Sequence, residues 1–395
     1  FQTKMGFTSY VSVASPDLVR EVLHEKSDIF VRNSELSLLL GRGLVVSDGD
    51  YWKHQRKVMQ PEFTIPMVRK SFEIMCDSVK DMLDSWEPMA ESGTPVNISR
   101  EMVKVAVRIM SRAFFGFDTK GTSEDIFRLL DQIFIATYKV CLTPIPYYHH
   151  LPTENVRRFN SLEKEFDQLI YGIIDNKRKS GLEEKDLLSI LLTSNKENGQ
   201  PLSNRELRDE VISMFFAGHE TTASTLAWAM HYSLRDPVIR ERVVTDAQNA
   251  MKGGALTYEA VKGLNYIKMV FDESMRFCPA IWIVPRFTKE DSVIAGYPVK
   301  KGTPVNSQIY LVHHNPDVWP DPERFDPERF NEENKKKIPK GAFIPFGAGP
   351  HSCIGSHFGM LEAYVILTML FSRYKVELVD TGDTKAQAFV TLRAS

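Results

Sequence analysis

The run Phe346-Gly347-Ala348-Gly349-Pro350-His351-Ser352-Cys353-Ile354-Gly355 sets one cysteine in a loop too glycine-rich for regular structure, directly ahead of an apolar helical stretch. Each neighbour has a physical use if the sulfur is a metal ligand. Gly347 and Gly349 permit backbone angles and close approaches that a side chain would block. Pro350 stiffens the turn, and Gly355 clears space beside the sulfur. A helix beginning near Cys353 points its first amides at the sulfur and favours the thiolate. Two plainer uses fit less well. A lone buried cysteine is usually a small hydrophobe, which is the reading taken for Cys76, Cys141 and Cys278. A phosphate-cradling loop needs the third glycine of a dinucleotide fingerprint or the lysine of a P-loop, and this loop has neither.

Bulk properties narrow the class without naming a chemistry. The chain has 395 residues, 43% hydrophobic and 25% charged, with a net charge of −2. That is ordinary for a globular protein and gives no charge-based argument for a nucleic acid partner. Four widely spaced cysteines make neither a disulfide framework nor a zinc pair, so a reduced, intracellular setting is expected. No apolar run reaches bilayer-spanning length. The chain begins at Phe1 without an initiator Met, so location is read conditionally. It is cytoplasmic if the chain is natively soluble, and membrane-associated if an N-terminal anchor was removed.

Most of the chain carries apolar residues at helical spacing. Helices are predicted over Asp17 to His24, Ile65 to Trp86, Ser99 to Phe115, Asp125 to Tyr138, Thr153 to Lys179 and Leu182 to Thr193. Ser203 and Glu206 form a capping box ahead of a long helix to about Leu234. Asp236-Pro237 then starts another, and a further helix spans Tyr266 to Phe277. Strands are predicted at Thr8 to Val13, Val284 to Thr288, Ser292 to Val299, Thr303 to Ile309 and Tyr374 to Val379. Repeats and flexible linkers are absent from the pattern, and the weakest ordering is expected at Asn195 to Gln200 and Met251 to Ala255.

Three other constellations carry chemistry. The long helix contains Ala217-Gly218-His219-Glu220-Thr221-Thr222, where a glycine weakens the helix and Thr221 can bond back to the carbonyl of Ala217 or Gly218. Read alone, this is either a local opening with an acid and a hydroxyl, or a polar patch on a helix. Glu273-Ser274-Met275-Arg276 places a carboxylate and a guanidinium on one helix face. Downstream lie Pro322-Glu323-Arg324-Phe325 and the similar Pro327-Glu328-Arg329-Phe330. Trp52-Lys53-His54-Gln55-Arg56 offers an indole N–H and a guanidinium four residues apart.

The spacing Phe-Gly-x-Gly-x-His-x-Cys-x-Gly resembles the haem-binding signature of the cytochrome P-450 (haem-thiolate monooxygenase) family. The other constellations follow in the family's order, from Trp52 to the helix after Cys353. The resemblance implies a mainly α fold with small β-sheets (α+β), a single large helix-rich haem domain over residues 1–395. It implies haem b (iron protoporphyrin IX) with Cys353 as the metal ligand, and Phe346 and Gly355 beside the sulfur. Glu220 and Thr221 correspond to the family's acid–alcohol pair for proton delivery, with His219 a neighbour on another face. Glu273, Arg276 and Arg329, rather than Arg324, correspond to its structural triad behind the cysteine loop. Trp52, Arg56, Arg286 and His351 fall where propionate donors stand, His351 replacing the more frequent arginine.

The resemblance also places a lipophilic pocket along Ser34 to Leu44, the stretch Tyr138 to Leu151, Phe215, Phe216 and Ala217, Ala280 to Val284 (including Ile281 and Trp282), and Ala388 to Val390 (including Phe389). The adjacent pairs His149-His150 and His313-His314 are read as non-ligands. Lys335-Lys336-Lys337 and Lys340 border the face where electrons would arrive from a ferredoxin, flavodoxin or diflavin reductase, because the chain has no flavin or iron–sulfur signature. The implied reaction puts one oxygen atom from dioxygen into a fatty acid, terpenoid, steroid or other lipophilic natural product, by a monomer. Rivals are a haem-thiolate peroxygenase or isomerase, a non-catalytic haem protein, and a flavin or nicotinamide enzyme built on the glycine loop.

Overall fold

The computed structural model describes all residues except 6–7, 33–34, 121–122, 142, 144, 146, 181–185, 197–198, 380–383 and 395. Ser34, Leu182 and parts of the Tyr138 to Leu151 and Asn195 to Gln200 stretches therefore lie outside the described residues. The longer helices are α1 (Gly49–Met59), α2 (Phe72–Ser85), α3 (Ile98–Phe115), α4 (Ser123–Cys141), α5 (Glu154–Ser180), α6 (Leu187–Thr193), α7 (Asn204–Arg235), α8 (Pro237–Ala250), α9 (Tyr266–Phe277) and α10 (Ser356–Arg373). Five strands form one sheet in the order β1-β2-β7-β4-β3, comprising β1 (Gln2–Met5), β2 (Thr8–Val13), β3 (Phe30–Val31), β4 (Val284–Thr288) and β7 (Pro304–Ser307). Two hairpins complete the β structure, β5 (Ser292–Ile294) with β6 (Tyr297–Val299), and β8 (Ala386–Ala388) with β9 (Leu392–Ala394). The architecture is mainly α with small sheets.

Local chemistry accounts for the element ends. The Ser203–Glu206 capping box opens α7: Glu206 N donates to Ser203 Oγ at 3.3 Å, and Ser203 N donates to Glu206 Oε2 at 2.9 Å. The Asp236 carboxylate accepts from the Val238 and Ile239 amides and starts α8. Several predicted elements differ. Asp17 to His24 is α-helical only to Arg20 and continues as a π-helix from Glu21, and Ser292 to Val299 folds back on itself as the β5–β6 hairpin instead of running as one strand. Ile65 to Trp86 breaks at Ser71 into Ile65–Lys70 and α2. Tyr374 to Val379 forms no strand, since among the described residues no strand pairs with it; Lys375 and Glu377 pair with each other at 2.7 Å, and Leu378 and Val379 are exposed. A strand-like sequence without a partner edge does not satisfy its own backbone.

α7 runs through the interior, packed on α3, α5, α8, α9 and α10. Phe215 stacks on Phe115 with ring centroids 4.9 Å apart and meets Phe166 edge-on at 6.4 Å. Gly218 lets α3 approach, because a Cβ there would lie 2.8 Å from the Met110 sulfur. The glycine is thus a helix-crossing contact, and α7 stays helical through it rather than opening. Along the buried middle of α7, Ala217, Gly218 and Thr221 stand out as partly exposed. Positions i, i+1 and i+4 share one side of a helix, so this strip faces interior space.

Candidate active site

The cysteine loop is held by its own backbone and by one histidine. Cys353 N donates to Phe346 O at 2.8 Å, Gly347 N to Ile344 O at 3.0 Å, and Ser352 N to Gly349 O at 3.1 Å. Gly347 and Gly349 adopt φ of +72° and +71°, the left-handed region that side chains avoid. Gly349 is doubly required, because a Cβ there would lie 2.1 Å from the Leu23 carbonyl oxygen. α10 begins at Ser356, with Gly355 as its cap.

Cys353 is exposed by surface area, yet burial is the largest influence on its thiol. Both hold if the sulfur borders an enclosed hollow. Burial pushes the thiol up, while the Gly355 N–H and the Arg56 guanidinium pull the other way; the net direction is upward. The helix start favours the thiolate, as the sequence implied, but burial outweighs it. A metal at the sulfur would supply the missing charge and displace the proton.

A cationic cluster lies next to the loop. Arg56 Nη1 donates to Ser352 O at 2.8 Å. Arg32 donates through Nη1 to Leu44 O at 2.9 Å and through Nη2 to His351 O at 3.3 Å. Arg286, from β4, is buried and donates to Pro285 O at 2.8 Å. Burial, then repulsion from Arg286, brings Arg32 down to about 9, and burial brings Arg286 down to about 10. Asp48 is the acid among them. Against the burial that would raise it, hydrogen bonds from His351 and from the Arg32 and Gly49 amides hold its carboxyl far below the usual range. His351 Nε2 lies 3.4 Å from Asp48, and the imidazole packs on Trp52 at 3.9 Å, leaving Nδ1 buried without a partner. Buried and half-buried guanidiniums that repel one another fit a further anion such as a pair of propionates. Arg32 and Asp48 were not legible in the sequence, since a lone Arg or Asp carries no local pattern.

Behind the loop, Glu273 and Arg276 are both fully buried and make a bidentate pair, Nε to Oε2 at 2.7 Å and Nη2 to Oε1 at 2.8 Å. Arg329 Nε lies 3.5 Å from Glu273 Oε1, whereas Arg324 offers only its carbonyl, to Arg276 at 3.2 Å. Arg276 Nη1 also donates to His313 O at 2.9 Å, and His313 Nε2 accepts the Ile344 amide at 3.0 Å. His313 therefore joins the charged group to the cysteine loop, a connection that residue spacing does not reveal.

On the α7 side, Thr221 Oγ1 donates to Ala217 O at 2.9 Å. Glu220 is buried, and its Oε1 accepts from Thr391 Oγ1 at 2.8 Å and from Arg393 Nε at 2.5 Å. Arg393 also donates to Asp131 of α4 at 3.1 Å. Glu220 Oε2 lies 4.0 Å from His219 Nε2, and His219 Nδ1 bonds Phe215 O.

The expected pocket residues divide. Phe216 stacks on Phe134 at 4.4 Å, Phe389 meets Tyr138 edge-on at 4.9 Å, and Trp282 Nε1 donates to Phe389 O at 3.0 Å. Ile281, Trp282 and Ala217 are partly exposed. Phe215 is corrected: it is fully buried between Phe115 and Phe166, so it belongs to the helix-packing core.

The sequence matches the family described as "Cytochrome P450" over residues 1–392. The chain belongs to the cytochrome P450 family. It is 32% identical to cyclooctat-9-en-7-ol 5-monooxygenase of Streptomyces melanosporofaciens, over 96% of this chain and 82% of that one. It is 29% identical to leukotriene-B4 omega-hydroxylase 3 of Mus musculus, over 97% of this chain and 78% of the other. The crystal structure of the cytochrome P450DA heme domain shares the fold with a TM-score of 0.87, at 24% identity, covering 100% of this chain and 86% of that one. As a P450, the protein is a haem-iron oxidoreductase of the monooxygenase class. Among the described residues, no helix of this P450 is long and apolar enough to cross a membrane.

Proposed function

We propose that this P450 inserts one oxygen atom from dioxygen into a lipophilic substrate, using haem b held by Cys353 and electrons from a separate protein. When bound, the haem supplies the oxidising chemistry; the chain supplies ligand, charge, proton path and pocket. The Cys353 sulfur would hold the iron, with Phe346 and Gly355 shaping the loop around it. Arg56 and Arg286, with Trp52, His351 and the newly placed Arg32, would hold the propionates. Glu273, Arg276 and Arg329 would keep the loop in shape through His313.

The observation that carries the reading is the Thr221 strip on α7 with Glu220 next to it. Thr221 uses its proton on Ala217 O, so its oxygen lone pairs stay available to a water on the partly exposed side. Glu220 Oε1 is taken by Thr391 and Arg393, which leaves Oε2 to exchange a proton. An oxygen-activating enzyme needs such a relay; a peroxide-using or non-catalytic haem protein does not.

The aromatic and aliphatic side chains Phe216, Ala217, Ile281, Trp282 and Phe389 support an apolar substrate. The relatives' substrates, by name cyclooctat-9-en-7-ol and leukotriene B4, support the same class. Fatty acids and terpenoids head the candidates. Exposed Lys336 and Lys340 would receive an acidic electron donor, while Lys335 and Lys337 pair with Asp272 and Glu333.

A carbon monoxide difference spectrum of the reduced protein tests the ligand. A strongly red-shifted Soret band that disappears in Cys353→Ser is expected, and its survival there overturns the assignment. Turnover driven by reductase should collapse in Thr221→Ala while turnover driven by peroxide persists. Equal loss of both would favour the peroxygenase reading.

A further inference from the structure

Between α1 and α7 lies a set of buried polar groups that the catalytic reading leaves unused. Tyr51 and Gln55, four residues apart, share one face of α1, and Ser47 lies just before that helix. Glu206, Glu210 and Ser213 share a face of α7 in the same way. The hydroxyls of Ser47, Tyr51 and Ser213, both amide atoms of Gln55 and Oε1 of Glu210 are buried and lack a hydrogen-bond partner. Gln55, Glu210 and Ser213 are at most 1% exposed.

These groups belong together. Leu44 N donates to Glu210 Oε2 at 2.9 Å, and Ser47 N donates to Gly43 O at 3.1 Å. Gly43 sits so close that a Cβ would lie 1.9 Å from Ser213 Oγ. Charge on Glu210 bears on the Tyr51 hydroxyl, which lies beside the Gln55 amide without an aligned bond. Native folds pair nearly all such groups, with ordered water where protein cannot reach.

The set is chemically neutral, made of hydroxyls, an amide and a carboxyl that burial pushes up to about 8. The charged groups around it are spoken for. Arg42 lies over the Tyr51 ring at 4.2 Å, and Glu206 pairs with Lys196 at 2.8 Å. Asp209 pairs with Arg205 and Arg208, and Arg208 also holds Glu163 and Asp167 of α5. A neutral set of several polar groups suits water better than an ion.

We propose that this seam is an internal water-binding site and that Glu210 is its proton-exchanging positioning residue, linked through Leu44 to the arginine cluster facing Cys353. The link is continuous: Leu44 gives its N–H to Glu210 and its carbonyl to Arg32. Protonated Glu210 is a weak acceptor for the Leu44 amide; ionised, it is a strong one. Loss of its proton through the water tightens the turn at residues 42–44, and with it the anchor of Arg32.

Amide hydrogen exchange of the haem-loaded protein, corrected for intrinsic rates and followed from about pH 6 to about pH 10, reads the coupling without turnover. Protection at Leu44 should rise about fivefold in one step centred near pH 8, the ratio given by a charged acceptor over a neutral one. Glu210→Gln should abolish the step. A flat wild-type profile, or a step that survives in Glu210→Gln, overturns the proposal. Tyr51→Phe and Ser213→Ala keep the carboxyl but remove water partners, so each should move the step to higher pH; an unmoved midpoint in both overturns the water site. A high-resolution crystal structure should show ordered water bonded to Tyr51, Gln55 and Glu210, and a dry seam overturns the same claim.

Discussion

Arg393 reaches back from β9 to hold the Glu220 carboxylate, Nε to Oε1 at 2.5 Å, and anchors its own far side on Asp131 at 3.1 Å. The acid of the proposed relay is therefore fixed by a residue 173 positions away. Without Arg393, Glu220 keeps one donor, Thr391, and can swing toward the Thr221 strip or away from it. Arg393→Ala should cost about 1–3 kcal/mol of stability, the usual penalty for an orphaned buried acceptor. Product formed per electron consumed should also fall, with peroxide released instead. Thr391→Val, which removes the weaker donor, should do less of both. Full coupling in Arg393→Ala would dismiss the positioning role.

Glu273→Ala strips a fully buried carboxylate from Arg276 and Arg329 and from the Asp326 amide, which it accepts at 2.7 Å. Removing one partner of a buried pair costs about 3–5 kcal/mol. The haem-to-protein ratio after purification should drop close to zero, while circular dichroism still shows helix. Arg329→Ala should be milder, because Arg329 stands farther off and bonds mainly to Asp321 O at 2.8 Å. Normal haem content in Glu273→Ala would remove the triad from the account.

How far the sequence could be read followed from how local each feature is. α9 spans the predicted Tyr266–Phe277, because its apolar spacing and the following proline are contiguous. The capping box at Ser203 and Glu206 forms as its spacing implies. The break at Ser71 was invisible, since apolar positions keep helical spacing on both sides of it. The cysteine loop was readable because its glycines, proline and cysteine lie within ten residues. Arg32, Asp48, His313 and Arg393 were not, because each meets its partners only through tertiary packing of distant segments, Arg393 by the chain's return at β9. Phe215 was misplaced because apolar residues one position apart on a helix look alike, yet face different neighbours.

His313 is fully buried, and burial followed by the charge of Arg276 pushes its imidazole down to about 3. Its Nε2 accepts the Ile344 amide, so the neutral ring carries its proton on Nδ1. The sign of the pH dependence follows. Between about pH 6.5 and about pH 3 the unfolded chain binds a proton that the folded chain refuses, so stability falls with acid by up to about 1.4 kcal/mol per pH unit. Denaturant titrations should show this slope in the wild type and a flatter one in His313→Gln. An identical slope in both would mean that His313 does not set the acid limit.

The two positive-φ glycines of the cysteine loop separate backbone strain from steric collision. Gly347 has φ of +72° and nothing within 4 Å of the point where a Cβ would stand, so Gly347→Ala adds only the left-handed strain of about 1–2 kcal/mol. The variant should keep its haem and lose a few degrees of melting temperature. Gly349 has nearly the same φ, but its added Cβ would strike Leu23 O at 2.1 Å and approach His24 Cα at 2.9 Å. Both obstacles are backbone, which cannot rotate aside. Gly349→Ala must therefore move the Cys353 loop off the Leu23–His24 turn, and with it the sulfur and the Ser352 carbonyl that holds Arg56. Loss of most of the haem and of the red-shifted carbon monoxide band is expected for Gly349→Ala alone. Equal retention in the two variants would show that the turn against Leu23 yields, and that backbone angle is all either glycine supplies.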